Sequence, residues 1–250
     1  MATVWLNRPA AQNAITNEML DELIHIFNSL EKENSVRVIV LRGKGKSFSA
    51  GADLNRMLES SKLNFDENLK DGQRWADCLG TIYNSPKPTI AVATGNNYGG
   101  GIGLLCASDI VIAEENAEFS FSEVKIGLAP STIMPYVLTR LNEHKAKYLM
   151  FTGQKVGATE AQQLNLVDVI VPTYELESRL KSISNDIIKA SPEGIKETKR
   201  LIGELKNAKT HDEIVALTSS SIAKLKISNE ANEGISAFFD KRPPIWSAKE

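Results

Sequence analysis

Short apolar runs alternate with longer, polar segments along this chain. The runs at residues 36–41, 89–94 and 110–113 are apolar and rich in β-branched residues, a pattern typical of strands buried within a parallel sheet. Further strands are predicted at residues 2–6 and 167–171. Strands that alternate with helices and are followed by a helical tail predict an α/β fold with C-terminal helices.

Helical spacing of apolar residues defines most of the segments between these strands. Thr16 is predicted to cap a first helix, and Ser191-Pro192 is predicted to start a later one, because a Ser or Thr cap and a first-turn Pro favour helix initiation. The other predicted helical segments are residues 54–84, 102–107, 133–141, 146–151, 158–164, 212–227 and 229–240.

The stretch at residues 88–113 reads as strand, glycine turn, short helix and strand. Gly99, Gly100 and Gly101 remove side chains from the turn, which leaves backbone N–H groups bare at a helix N-terminus. Such groups can hold a developing negative charge, or the glycines can serve a tight crossover packed against a neighbour. The glycine run alone slightly favours packing.

A loop of small residues, 43–54, follows the strand at residues 36–41. Ligands of open α/β sheets collect at the carboxyl ends of strands, so this loop is a candidate site. Gly45-Lys46-Ser47 is not a phosphate-binding P-loop, because Val40 stands where the motif needs a glycine. Residues 99–103 also lack the glycine spacing of a dinucleotide fingerprint, which argues against a nicotinamide enzyme.

Glu123 lies within an otherwise apolar context after the second glycine-rich region. A carboxylate there is either solvated or ion-paired, or it is desolvated with a raised pKa and suited to proton transfer. Spacing alone favours the first alternative.

Composition restricts the classes of protein that fit. The 250 residues suffice for one substantial core with a helical appendage, and the net charge of −2 provides no field for nucleic acid or an anionic membrane. Cys78 and Cys106 are too few for a disulfide framework or a zinc site. The sequence shows no secretory signal pattern and no apolar run of ~20 residues, so we expect a cytoplasmic protein. We also expect no metal site.

Taken together, the motifs resemble the crotonase family, the enoyl-CoA hydratase and isomerase superfamily, over nearly the whole chain. The landmarks are Leu6-Asn7-Arg8-Pro9 with Asn13-Ala14, Phe48-Ser49-Ala50-Gly51-Ala52-Asp53-Leu54, Gly99-Gly100-Gly101, Ala107-Ser108-Asp109, Ser122-Glu123 with Gly127, and Gly157-Ala158 with Leu166-Val167-Asp168. The resemblance implies a crotonase (ClpP-like) fold of repeated ββα units with two roughly perpendicular sheets. It also implies a core domain at residues 1–190, a C-terminal helical trimerisation region at residues 191–250, and a homotrimer or homohexamer. Members of the family generally carry a further strand before the one that ends at Leu6, so we expect either that this strand lacks a hairpin partner or that the natural start lies upstream of Met1.

The same resemblance assigns roles to individual residues. The backbone N–H groups of Ala52 and Gly100 are implied to stabilise an enolate oxygen, and Glu123 is implied to exchange a proton with the α-carbon of a thioester. Coenzyme A enters as part of an acyl-CoA substrate, with no separate cofactor. The implied substrate- and CoA-binding positions are Lys46, Ala50, Gly51, Asp53, Leu54, Gly99, Gly103, Pro130 and, reaching a neighbouring subunit, Phe238 and Lys241.

Gly103 is the main departure from the family pattern, because two-glutamate hydratases carry their second glutamate at that position. The segment from Ser122 to Pro130 nevertheless resembles a bacterial branch of hydratases, similar to methylglutaconyl-CoA hydratase, that acts on branched or carboxylated enoyl thioesters. We hypothesise that Gly103 enlarges the acyl pocket.

Three functions are consistent with these residues. The first is an enoyl-CoA hydratase that uses Glu123 alone, and the second is an enoyl-CoA double-bond isomerase, which needs only one glutamate and no water. The third is a non-catalytic CoA-binding or RNA-binding assembly protein. The presence of Glu123 together with the two loops that carry Ala52 and Gly100 argues against a non-catalytic protein. The lack of a basic stripe argues against a nucleic-acid partner. No membrane partner is expected.

Overall fold

Residues 1–247 are described by a computed structural model, and they contain strands in two sheets together with helices. The strands are β1 Ala2–Leu6, β2 Ile39–Gly43, β3 Thr89–Ala93, β4 Asn96–Tyr98, β5 Ile110–Glu114, β6 Glu118–Ser120, β7 Val156–Gly157 and β8 Val169–Val171. The α-helices are α1 Asn17–Lys32, α2 Leu54–Ser60, α3 Phe65–Tyr83, α4 Gly100–Ala107, α5 Met134–Arg140, α6 Glu143–Thr152, α7 Ala158–Gln163, α8 Leu176–Lys189, α9 Pro192–Leu205, α10 His211–Lys226 and α11 Asn229–Phe239. The final residues of the predicted C-terminal region, 248–250, lie outside the described residues.

The larger sheet has the strand order β1-β2-β3-β5-β8, and every pair in it is parallel. All five residues of β3 are buried, as expected for a central strand covered on both faces. β1 lies at the edge and pairs with β2. The predicted α/β class is confirmed, and the predicted strand at residues 36–41 is observed slightly later, at β2.

The smaller sheet has the order β4-β6-β7, in which β4 and β6 are parallel and β7 is antiparallel to β6. β4 follows β3, and β6 follows β5, each after a short turn, so strand pairs repeat as the crotonase resemblance implies. β4 and β7 span only three and two residues and were not predicted. Segments this short show no recognisable periodicity.

Capping residues define several helix boundaries. Thr16 and Ser191 accept hydrogen bonds from the first turns of α1 and α9, which confirms both predicted caps. The predicted helical segment at residues 54–84 is two helices, α2 and α3. Asn64 and Glu67 form a capping box that starts α3 afresh. α8 has no counterpart among the predicted helices.

The chain divides into two compact units. The first comprises residues 1–85 and 89–180 and contains both sheets, and the second comprises residues 86–88 and the chain from Lys181 onward. The first unit has a continuous apolar core whose largest fully buried side chains include Phe27, Phe48, Phe119 and Phe121. The predicted boundary at residue 190 and the trimerisation role of the C-terminal region stay predictions. None of the helices within residues 1–247 is both long and apolar enough to cross a membrane.

Candidate active site

A buried hydrogen-bond network holds the small-residue loop that follows β2. The Asn13 side chain donates to the carbonyls of Lys44 and Ser47, both at 2.8 Å, and accepts from Arg8 N at 2.8 Å. Ser49 Oγ donates to the carbonyl of Asn13 at 2.8 Å and accepts from Gly51 N at 3.1 Å. The loop therefore has one defined path as it approaches Ala52.

Ala52 forms a parallel β-bridge with Ile15. Ile15 N donates to the carbonyl of Gly51 at 2.8 Å, and Asp53 N donates to the carbonyl of Ile15 at 3.0 Å. These bonds leave the Ala52 N–H between them, and it donates to no acceptor within residues 1–247. A bare, fixed donor at this position can serve a ligand.

Asp53 is buried and stabilises the chain that leaves this donor. Its carboxylate accepts from Asn55 N at 3.0 Å and Arg56 N at 3.4 Å, which caps α2, and it pairs with Arg8 Nη1 at 2.9 Å. The hydrogen bond from Arg8 holds the pKa of Asp53 below its ordinary value. These contacts give the predicted substrate-binding Asp53 a positioning role next to Ala52.

The second donor lies in the glycine turn between β4 and α4. Tyr98 N donates to the carbonyl of Ser49 at 3.0 Å, and Gly99 N donates to the carbonyl of Ser120 at 3.1 Å. Gly100 is the first residue of α4, and its N–H also has no acceptor among the described residues.

Gly51 brings the two donor loops into contact. A Cβ placed on Gly51 would lie 2.7 Å from the carbonyl oxygen of Tyr98 and 3.5 Å from Gly100 N. Gly51 also has a φ of 91°, a left-handed conformation that L side chains rarely adopt. A side chain here would separate the loops, so this position requires a glycine.

The Glu123 carboxyl group packs against the glycine turn at Gly99. It begins a 3₁₀ turn after β6, and a Cβ placed on Gly99 would lie 2.8 Å from its Oε1 atom and 3.3 Å from its Cδ atom. Its Oε2 atom is buried and has no hydrogen-bond partner in the described part of the chain. Burial raises the pKa of Glu123 above its usual value of 4.5, although a backbone hydrogen bond opposes the shift.

Ala52, Gly100 and Glu123 line one cavity of about 220 Å³, which we call the site cavity. Its apolar walls include Ile15, Met57, Trp75, Leu128, Pro130 and Ile133, and its polar side includes Asn17, Arg56, Ser60, Asn68, Asp71 and Thr132. The three residues predicted as catalytic are therefore together, with a desolvated carboxyl facing a space that two bare N–H groups also border.

An ion pair on the polar side was not predicted. Arg56 Nη2 donates to both Asp71 oxygens, at 2.7 and 2.9 Å, and Asn17 Nδ2 donates to Asp71 Oδ1 at 3.1 Å. These contacts tie α1, α2 and α3 together around the cavity. Sequence reasoning missed them because the three residues are far apart in the chain, and no motif links them.

The other predicted binding residues occupy several environments. Ala50 and Gly99 adjoin the donor loops, and Pro130 lines the site cavity. Lys46 and Leu54 are exposed and do not belong to the cavity lining, with Leu54 76% exposed.

The two predicted C-terminal contacts belong to the second compact unit. Phe238 lies in α11 with 79% of its surface exposed, and Lys241 follows that helix. Their predicted contact with the CoA of a neighbouring subunit stays a prediction.

Gly103 packs against Ile133, which is one wall of the site cavity, and its expected enlargement of the acyl pocket stays a prediction. A Cβ placed on Gly103 would lie 2.3 Å from Ile133 Cγ2 and 2.9 Å from Ile133 Cβ. Leu79 Cδ2 is 3.5 Å from the same point, and Gly103 is fully enclosed. The space beside Gly103 is filled by Ile133, so the glycine permits close packing between α4 and the residue that precedes α5.

No arrangement of three or more His, Cys, Asp or Glu side chains suited to a metal ion is found within residues 1–247. The thiols of Cys78 and Cys106 are free and buried, and burial raises the pKa of each to about 12. Neither thiol is poised to act as a nucleophile.

Residues 1–249 match the enoyl-CoA hydratase/isomerase family. The crystal structure of an enoyl-CoA hydratase from Shewanella pealeana is 34% identical, with a TM-score of 0.94 over 98% of this chain and 91% of that one. The short-chain-enoyl-CoA hydratase of Clostridium acetobutylicum is 32% identical over 97% of this chain and 92% of that protein. The mitochondrial Delta(3,5)-Delta(2,4)-dienoyl-CoA isomerase of Dictyostelium discoideum is 28% identical over 98% of this chain and 87% of that protein.

Proposed function

The chain belongs to the enoyl-CoA hydratase/isomerase family, and on that premise we propose that it adds water across the 2,3 double bond of an enoyl-CoA thioester. One observation carries the proposal. The unpartnered N–H groups of Ala52 and Gly100 border the same cavity as the desolvated carboxyl of Glu123. This combination suits a reaction in which a thioester oxygen gains negative charge while a proton moves nearby.

The two N–H groups supply electrostatic stabilisation. When water attacks C3 of the enoyl group, electrons move onto the thioester oxygen, and donors already aimed at that oxygen need no reorganisation. The loss of one such donor typically costs ~3 kcal/mol of barrier. The networks around Asn13, Ser49 and Gly51 keep the first donor loop in place before substrate arrives.

Glu123 handles the proton in both steps. Its carboxylate accepts a proton from water as the water oxygen bonds to C3, which produces the enolate. The resulting carboxylic acid then protonates C2, so one water molecule has been added and the carboxylate is restored. The raised pKa of Glu123 favours this cycle because it makes the carboxylate a stronger base than a solvated glutamate.

Several finer features belong to the same proposal. We place Lys46, Leu54, Phe238 and Lys241 near the CoA moiety, the last two across a subunit interface in a homotrimer or homohexamer. No cofactor beyond the CoA of the substrate is required. Two free, buried cysteines support a reducing, cytoplasmic setting.

A double-bond isomerase is the second candidate, and the packing of Gly103 favours it. Residue 103 is a glycine and Ile133 occupies the space beside it, so no carboxylate extends from residue 103 to hold a water molecule. Glu123 alone can remove a proton from C2 of a 3-enoyl-CoA and return it to C4. The donors at Ala52 and Gly100 serve either reaction.

Isotope labelling separates these functions. Purified protein is incubated with crotonyl-CoA or with a 3-enoyl-CoA in heavy-oxygen water, and the products are analysed by mass. The hydratase is supported if crotonyl-CoA gains an oxygen atom from the solvent and if Glu123→Gln loses this activity. The control variant Glu115→Gln, at an exposed position, should keep it. A shifted double bond without incorporated oxygen identifies the isomerase instead, and no turnover of either substrate refutes both.

A further inference from the structure

We propose that Trp75 limits the length of the acyl chain and makes this site selective for short acyl-CoA thioesters. The inference rests on the proposed function, since it takes the site cavity as the place where the acyl group binds. Trp75 belongs to no motif of the family resemblance, and it lines this cavity together with Ala52, Gly100 and Glu123. It is therefore a specificity-determining residue rather than one that moves a proton.

The Trp75 ring lies directly against the second donor. A Cβ placed on Gly100 would lie 2.4 Å from Cη2, 2.7 Å from Cζ3 and 3.3 Å from Cζ2 of Trp75. The six-membered edge of the indole therefore occupies the place where a side chain at residue 100 would project. Because the thioester oxygen must reach the Gly100 N–H, an acyl chain that extends along this side of the cavity meets the ring after a few carbons.

The ring is held in place by its helix. Trp75 is partly buried against the apolar core, and Leu79 and Ile82 continue the same face of α3 in full burial. A large aromatic side chain packed in this way provides a firm wall. Ile133, itself buried against Gly103, forms another wall of the cavity.

The size of the site cavity agrees with a short acyl group. Its volume of about 220 Å³ is below the usual ~300–1,000 Å³ of small-molecule pockets. Longer acyl chains gain affinity only where each added methylene leaves water, at about fourfold per group (~0.8 kcal/mol). If the Trp75 ring blocks the acyl chain, the affinity for acyl-CoA stops rising once the chain is long enough to reach the ring.

Binding of saturated acyl-CoAs tests this inference apart from catalysis, because they have no double bond to hydrate. Calorimetry gives the Kd of butyryl-, hexanoyl- and decanoyl-CoA for the wild type, Trp75→Ala and the control Trp5→Ala. Trp5 is a partly exposed tryptophan on the edge strand β1 and lies away from the cavity lining. We expect no gain beyond hexanoyl-CoA for the wild type and Trp5→Ala, and about fourfold per added methylene for Trp75→Ala.

A second variant makes the cavity smaller, whereas Trp75→Ala makes it larger. Gly72 lies one helical turn before Trp75, lines the same cavity, and has open space where a Cβ would stand. Gly72→Leu should therefore weaken hexanoyl-CoA binding at least tenfold while butyryl-CoA loses less. Equal chain-length dependence in the wild type and Trp75→Ala, or equal losses for both ligands in Gly72→Leu, overturns the inference. Turnover in heavy-oxygen water tests the hydratase proposal separately, so the two failures are distinguishable.

Discussion

Replacing Gly103 with alanine is expected to destabilise the protein, although alanine is ordinarily the better helix former. The new Cβ would stand 2.3 Å from Ile133 Cγ2, whereas ordinary contacts begin at 3.4 Å. Overpacking of this kind typically costs ~1–3 kcal/mol, and the gain in helix propensity offsets ~1 kcal/mol of it. We expect a net loss of up to about 2 kcal/mol in the free energy of unfolding, or up to ~8 °C in Tm for a chain of this size.

Urea unfolding followed by circular dichroism measures this loss against a matched control. Gly203, inside α9, has open space at its Cβ position, so Gly203→Ala should be neutral or stabilising by up to ~1 kcal/mol. Adding Ile133→Leu to Gly103→Ala removes the clashing Cγ2 atom but keeps the Cβ at 2.9 Å, so it should restore part of the loss. The reasoning is refuted if Gly103→Ala behaves like Gly203→Ala, or if Ile133→Leu restores nothing.

Three further results are expected from the same geometry. Gly99→Ala places a Cβ 2.8 Å from Glu123 Oε1, at a residue whose backbone is left-handed. We expect kcat to fall at least tenfold while circular dichroism shows a folded protein. An unchanged kcat would contradict the placement of the carboxylate. Because burial raises the pKa of Glu123, kcat/KM should decline as pH falls, beginning above its usual pKa of 4.5, and a profile that declines only below that value would count against Glu123 as the base. With thiol pKa values of about 12, Cys78 and Cys106 should resist iodoacetamide at about pH 8 until urea unfolds the chain, and rapid labelling of native protein would show that they are accessible.

Periodicity predicted the elements that bury a broad apolar face. The strand Ala2–Leu6 and the caps at Thr16 and Ser191 were predicted correctly, because local patterns and capping chemistry determine them. β4 and β7 are too short to show a period, and they form because β6 lies between them. Their pairing depends on residues distant in sequence, which a single-chain pattern does not reveal.

In the candidate site, too, local motifs were predicted from the sequence, whereas contacts between residues distant in the chain were not. Family motifs identified Glu123, Ala52 and Gly100, and the structure brings them to one cavity. The contact between Gly103 and Ile133 was not predicted, because Ile133 lies thirty residues further along the chain. Only the fold places the Trp75 ring against Gly100.

Exchange of the C2 proton of butyryl-CoA in heavy water tests the central claim most directly. The claim is that Glu123 and the N–H groups of Ala52 and Gly100 form and hold a thioester enolate, a step that both hydration and isomerisation require. Butyryl-CoA has no double bond, so deuterium at C2 reports this step alone. We predict incorporation by the wild type and at least a hundredfold slower incorporation by Glu123→Gln. Equal rates for the two proteins, or no incorporation by a wild type that binds butyryl-CoA, would contradict the account.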